Sequence, residues 1–177
     1  MSLLPPVASW PEQLAAALKT RLEGITLTEP DPSDPTLRRY TYAPASVARV
    51  DDFRIGYLRS DLQTQYLLRL GNDRPTTRTT GTRDRELEAW ILAAHRPATA
   101  PGSNPHAVSP GPVIEQAQNA LARDIEIRLQ EDQRLGGFAH QVDVTDVGRD
   151  FELEETFKWA VVELRVVILY RYPRGTA

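Results

Sequence analysis

The chain predicts an α+β fold: an antiparallel or mixed β-sheet with two amphipathic helices packed on one face, a long hairpin and Pro-rich loops. Three observations lead there. Two segments, 10–23 and the stretch after Pro112, carry apolar stripes at helical spacing. The segments 64–71, 85–97, 138–147 and 157–172 alternate apolar and polar residues or run apolar, as strands do. Helix, extended pieces, hairpin, helix, hairpin is an order that suits one sheet with its helices on one side. At 177 residues, this is a single domain, 1–177.

The first helix has a marked start. Ser9 stands three residues before Glu12, as in a capping box, and Pro11 falls in the first turn. Leu14, Leu18 and Leu22 form one stripe, and Gly24 is a natural stop. The Pro-rich stretch at about 29–36 contains Pro30, Pro32 and Pro35 among acids, which predicts an exposed loop without regular structure. Residues 40–60 mix short extended pieces.

In 64–71, Tyr66, Leu68 and Leu70 share one face. The segment 85–97 has a helical composition, yet Leu87, Ala89, Ile91 and Ala93 alternate. A strand is the preferred reading, because it makes a hairpin with 64–71. The hairpin loop is 72–84, rich in Arg and Thr and too polar to pack. A second Pro-rich loop, 97–112, leads to a helix whose stripe is Ile114, Ala117, Leu121, Ile125 and Leu129. Gly136 and Gly137 end it, where a left-handed cap and sharp turn need glycine. Val142 and Val144 share a face of the next strand. On the last strand, 157–172, the even residues Ala160 to Tyr172 are all apolar or aromatic and face the helices. The odd residues are mixed, with Trp159, Val161, Val167 and Leu169 apolar among Glu163, Arg165 and Arg171.

Composition removes several functions. Apolar residues make up 41% and mean hydropathy is −0.41, which predicts a modest core with long polar loops. The absence of cysteine excludes disulfides and Cys-based zinc sites. A formal charge of −3 argues against a surface that grips nucleic acid non-specifically. The first residues have neither the basic start nor the apolar stretch of a signal peptide. Lys158, Glu163, Arg165 and Arg171 interrupt the closing apolar run, so a membrane span is not expected.

His95, His106 and His140 have no metal-ligand spacing, and His95 reads as a half-exposed residue at a strand end. No phosphate-binding loop and no G-x-S-x-G or S-x-x-K nucleophile occurs. Asp51–Asp52 and Glu154–Glu155 are neighbours whose side chains diverge on a strand. The expectation is a protein without catalytic residues, metal or cofactor. Arg74, Arg78 and Arg83 form the one basic cluster. It suits either a solvated hairpin tip or a loop ordered against a carboxylate or phosphate partner.

The helix "VIEQAQNALARDIEIRLQEDQRLGG", the following "FAHQVDVTDV", the acidic connection and the closing "VVILYRYPRG" together resemble the tail terminator (tail completion) proteins of long-tailed bacteriophages, over about 113–173. The resemblance implies a structural virion protein. Such proteins form a hexameric ring that caps the tail tube, ends its polymerisation and presents a surface to the head or neck. DNA passes through the lumen without specific binding. The implied partners are further copies of the chain, the tube protein and a neck or connector protein. The implied location is the virion, assembled in the host cytoplasm. On this chain, Trp159, Val161, Val167 and Leu169 become the expected subunit interface, and Arg74, Arg78 and Arg83 the tube or lumen contact. Related alternatives are a head–tail connector or stopper and the cap of an injection machine. A small ligand-binding domain outside any virion is a third.

Overall fold

The computed structural model describes residues 9–54, 57–76, 84–97, 111–148 and 159–171. Two helices, α1 (Trp10–Glu23) and α2 (Gly111–Gln130), pack on one face of a five-stranded mixed sheet. Its strands are β1 (Ser46–Arg49), β2 (Thr64–Pro75), β3 (Asp84–His95), β4 (Gln141–Gly148) and β5 (Ala160–Arg171). The spatial order is β1-β2-β3-β5-β4. β1 runs parallel to β2, and every other neighbouring pair is antiparallel. The segment 85–97 is therefore a strand, as its alternation predicts. β5 lies inside the sheet, with β4 at the edge.

The helix-covered face follows the predicted pattern. Ala160, Val162, Leu164, Val166, Ile168 and Tyr170 of β5 are fully buried. They line up with Ala93, Ile91, Ala89 and Leu87 of β3 and, beyond these, with Tyr66 and Leu68 of β2. Leu14, Leu18 and Leu22 of α1 and Leu121, Ile125 and Leu129 of α2 close the core from above. Each such aliphatic or aromatic side chain contributes roughly 1.5–3 kcal/mol by leaving water.

The C-terminal turns of the two helices meet and are tied reciprocally. Arg21 Nε donates to the Arg128 carbonyl at 2.9 Å, and Arg128 Nε donates to the Arg21 carbonyl at 3.1 Å. Cations at these ends offset the two negative dipole termini brought together. Glu131 gathers the loose ends. It accepts from Arg21 at 2.8 Å, Arg128 at 2.8 Å and the Tyr40 hydroxyl at 2.7 Å, and pairs with Arg39 at 2.5 Å. Burial opposes ionisation of Glu131, yet these donors outweigh it and hold its pKa below the ordinary value. Burial and the Glu131 carboxylate push the Tyr40 phenol up to about 12.

Several local expectations change. Ser9 occupies the N-cap of α1, but its side chain makes no capping hydrogen bond. Glu12 is drawn instead to Arg49 on β1, which supplies a charge that Ser9 cannot. Gly24 ends α1 in a right-handed conformation (φ −76°) rather than a left-handed one, and the Arg128 guanidinium lies where its Cβ would be. The left-handed turn does occur after α2, where Gly136 and Gly137 have φ of 68° and 96°. The 29–36 loop is ordered despite its prolines. Pro30 and Arg38 form an antiparallel bridge, and Asp31 and Asp34 accept hydrogen bonds from Ser33 and Thr36.

The hairpin strands are longer than the 64–71 pattern predicts. β2 runs on through Asp73, Arg74 and Pro75 after an irregularity between Leu70 and Asp73. That part of the expected 72–84 loop is strand, held by charge pairs rather than by apolar alternation. Most of the second Pro-rich loop lies outside the described residues, as do His106 and Glu154–Glu155.

Candidate functional site on the open sheet face

The helices leave the other face of the sheet to different residues. Register puts Val161, Glu163, Arg165, Val167, Leu169 and Arg171 of β5 there. Ala94, Leu92, Trp90, Glu88, Glu86 and Asp84 of β3 stand opposite them. The connection from β1 to β2 covers part of this face. The Gln65 side chain accepts from the Arg59 N–H at 2.8 Å and donates to the Arg59 carbonyl at 2.7 Å, completing the backbone pairing of that loop. Arg69 lies between the rings of Phe53 and Trp90, 5.1 and 4.7 Å from their centroids. Trp90 in turn occupies the space above Gly71 that a Cβ would fill.

Farther along, toward the β2–β3 hairpin end, the face opens into a groove of about 610 Å³. Val167 and Leu169 line it from β5, Arg74 and Glu86 from β2 and β3, Asp143 from β4 and His140 from just before it. Its arginines are spoken for. Arg74 pairs with Glu86 at 2.6 Å and reaches Glu88 at 3.7 Å; Arg165 pairs with Glu88. Arg171 pairs with Asp84 at 2.7 Å, and Arg85 with Asp73 at 2.9 Å. Glu88 is only 5% exposed, which its two arginines make tolerable. The Tyr170 hydroxyl donates to Asp73 at 3.0 Å; burial and that carboxylate raise the phenol's pKa. Asp143 accepts from the Gln141 side-chain amide at 2.7 and 2.9 Å and has no ion-pair partner among the described residues.

The expected site residues therefore divide. Val167, Leu169 and Arg74 come together in one groove. Val161 lies half-buried near the other end of β5, opposite Ala94. Trp159 is 5% exposed, inside the protomer, so it offers no surface to a neighbouring subunit. It precedes β5, where the strand's alternation has not begun, so its odd number does not place it on the open face. Arg74 carries a paired charge and sits on a strand rather than on a free loop. Arg78 and Arg83 lie outside the described residues. The residues that numbering alone did not reveal are Glu86, Glu88, His140 and Asp143. Their signal is cross-strand register, available only once the strand order is known.

A second polar cluster lies under the helices. Asp124 of α2 is fully buried and accepts the backbone N–H groups of Thr41 and Tyr42, both at 2.8 Å. Burial pushes its carboxyl pKa up, against the pull of these two donors. His95 is buried rather than half-exposed. It shares a 2.8 Å hydrogen bond with Thr64 and lies against Tyr42, ring centroids 3.9 Å apart. Burial lowers its pKa to about 4, so the imidazole is neutral near pH 7. These groups are enclosed and serve the packing of residues 41–42.

No known family model matches the chain, and no curated protein matches it.

Among the described residues, no group of His, Cys, Asp or Glu could hold a metal ion. None of the described helices is long and apolar enough to cross a membrane. What the groove offers chemically is a short apolar floor with charged walls whose arginines are already neutralised.

Proposed function

We propose that this chain is a structural protein of a phage virion, a tail terminator that closes the tail tube as a ring. The observation that carries the proposal is the odd side of β5. Val167 and Leu169 stand part-exposed in an open groove, on the sheet face that neither described helix covers. A ring needs such a patch on each protomer, because its contacts join two different surfaces. The element order, an early amphipathic helix, a central hairpin, a late helix and a closing strand pair, is the order that members of the resembled family carry, and it supports this reading.

In this reading the chain is a homo-oligomer, a hexamer, between a tail tube protein and a neck protein. Its work is assembly rather than catalysis, and its place is the virion. Arginines already held by Glu86, Glu88 and Asp84 have little left to give a phosphate backbone. That supports a lumen through which DNA slides. The groove's volume also falls within the ~300–1,000 Å³ of small-molecule sites, but such sites are mostly apolar. Here Arg74, Arg85, Asp84, Glu86 and Asp143 put charge on several sides of a short apolar floor, which favours a protein surface.

The test is Val167→Glu with Leu169→Glu. The doubly substituted protein should keep its circular dichroism and melt cooperatively, yet give no six-fold rings in electron micrographs, either alone or on purified tubes. Rings of normal appearance from that variant would sink the proposal.

A further inference from the structure

The loop between α1 and β1 is built as a stiff arm. Its two sides are joined by the Pro30–Arg38 bridge, by Arg39 N–H to the Glu29 carbonyl and by Asp31 N–H to the Leu37 carbonyl, both at 3.0 Å. Asp34 turns its carboxylate inward on Thr36, at 2.9 Å to the N–H and 2.7 Å to the hydroxyl. At the base, Arg39 is fixed to Glu131, beside the C-terminal ends of both helices. Beside the exposed prolines and hydroxyl residues of its tip, the arm presents Leu37, 59% exposed, and Arg38, exposed and without an ion pair among the described residues. One exposed leucine is ordinary on a protein surface. An exposed leucine beside an unpaired cation, on a loop already ordered by its own hydrogen bonds, is a contact with little entropy left to lose.

The groove on the opposite face is its chemical complement. Its floor is Val167 and Leu169, and its carboxylate without an ion pair is Asp143. The arginines around it are already matched to Glu86, Asp73 and Asp84, so its spare charge is negative. We infer that the arm of one copy enters the groove of a second copy, with Leu37 on Val167 and Leu169 and Arg38 against Asp143. The arm is tied to the helix layer and the groove lies across the sheet from it, so a protomer presents both halves of the contact on different sides. Such a contact is heterologous and repeats from copy to copy, closing a ring when the rotation allows. The apolar insertion supplies most of the attraction, and the rim pair sets orientation. The inference rests on the ring reading for its biological role, but the contact can be tested separately.

The cysteine-free chain makes that test clean. Leu37→Cys is placed in one preparation and Val167→Cys in another, and each is checked for folding by circular dichroism. The two are mixed, oxidised and run on a non-reducing gel, with wild-type assembly followed by sedimentation velocity. The mixture should yield a disulfide-linked dimer well above a control mixture of Leu27→Cys with Val167→Cys. Adding Arg38→Glu to the first partner should lower that yield roughly tenfold, and Asp143→Arg in the second should restore it. A yield no higher than the control overturns the inference. If wild-type rings still form, only this contact is wrong and the ring reading stands. If the cross-link forms while the wild type never closes into rings, the contact stands and the ring reading fails. If no cross-link forms and Asp143→Arg instead abolishes binding to the tube, the groove belongs to another protein and the inference is overturned.

Discussion

On the helix-covered face β5 presents Ala160, Val162, Leu164, Val166, Ile168 and Tyr170. On the open face the same strand presents Val161, Glu163, Arg165, Val167, Leu169 and Arg171. The first set is fully buried, and its neighbours in β3 are apolar along most of its length. The second is mostly half-exposed, and its neighbours in β3 pass from Ala94, Leu92 and Trp90 at one end to the carboxylates Glu88, Glu86 and Asp84 at the other. Hydrogen bonding along the strand is common to both sides, so the difference lies in what the side chains meet. Where helices close over the sheet, unpaired charge is too costly and apolar volume must fill the space. Where no helix closes, each cross-strand pair contributes only about 0.2–1 kcal/mol, and the residues are freer to serve a partner.

Leu164→Ala and Val167→Ala put this contrast to its sharpest use. They remove aliphatic carbon from the same strand, on opposite faces. Leu164→Ala should lower unfolding free energy by about 2–5 kcal/mol, because the packed core above it cannot fully collapse. Val167→Ala should cost under about 1 kcal/mol. Urea titrations of the two variants measure both values. Equal losses would show that the open face is as enclosed as the core.

The covered face was legible because its cause is local: a side chain's parity decides whether it meets the helices. Leu14, Leu18 and Leu22 behave the same way at helical spacing. What stayed hidden depends on partners distant in the chain. Glu12 leaves Ser9 for Arg49, 37 residues away. Arg128, distant in the chain, passes over Gly24 where a Cβ would stand. Asp73 and Arg74 look like loop residues, since nothing nearby announces the Arg85 and Glu86 that hold them in a strand. The groove was half legible. The apolar excess at Val167 and Leu169 marked its floor, but Asp143 and Glu86 join it only because β5 lies between β3 and β4.

The next contrast concerns buried polarity on the covered side. Asp124→Ala removes the acceptor of two backbone N–H groups, each worth about 1–3 kcal/mol when left unpaired in the interior. The loss should approach that of Leu164→Ala. Asp124 also carries a pH signature. Its folded pKa is raised above 3.8, so the folded state holds the proton more tightly than the unfolded chain. That contribution is complete below the unfolded pKa and is lost as pH rises through the folded one. Asp124→Asn should therefore remove a downward slope of stability with pH in the window just above 3.8, seen by urea titration at several pH values. An unchanged slope would assign the effect to another group.

The smallest effect belongs to the open face. Arg74 is 57% exposed, and its pair with Glu86 is exchanged easily for water. Arg74→Ala should shift unfolding free energy by only about 0–1 kcal/mol, less at high salt, where screening has already removed much of the attraction. Glu88 limits how far that holds, because Arg165 remains as its close partner after Arg74 is gone. Removing both arginines leaves a nearly buried carboxylate with no cation beside it. The double variant should then lose more than the sum of the two singles, and a double-mutant cycle on Arg74 and Arg165 measures that excess. Simple additivity would mean that Glu88 reaches water, and that the open face is solvated to its floor rather than held by its ladder of charges.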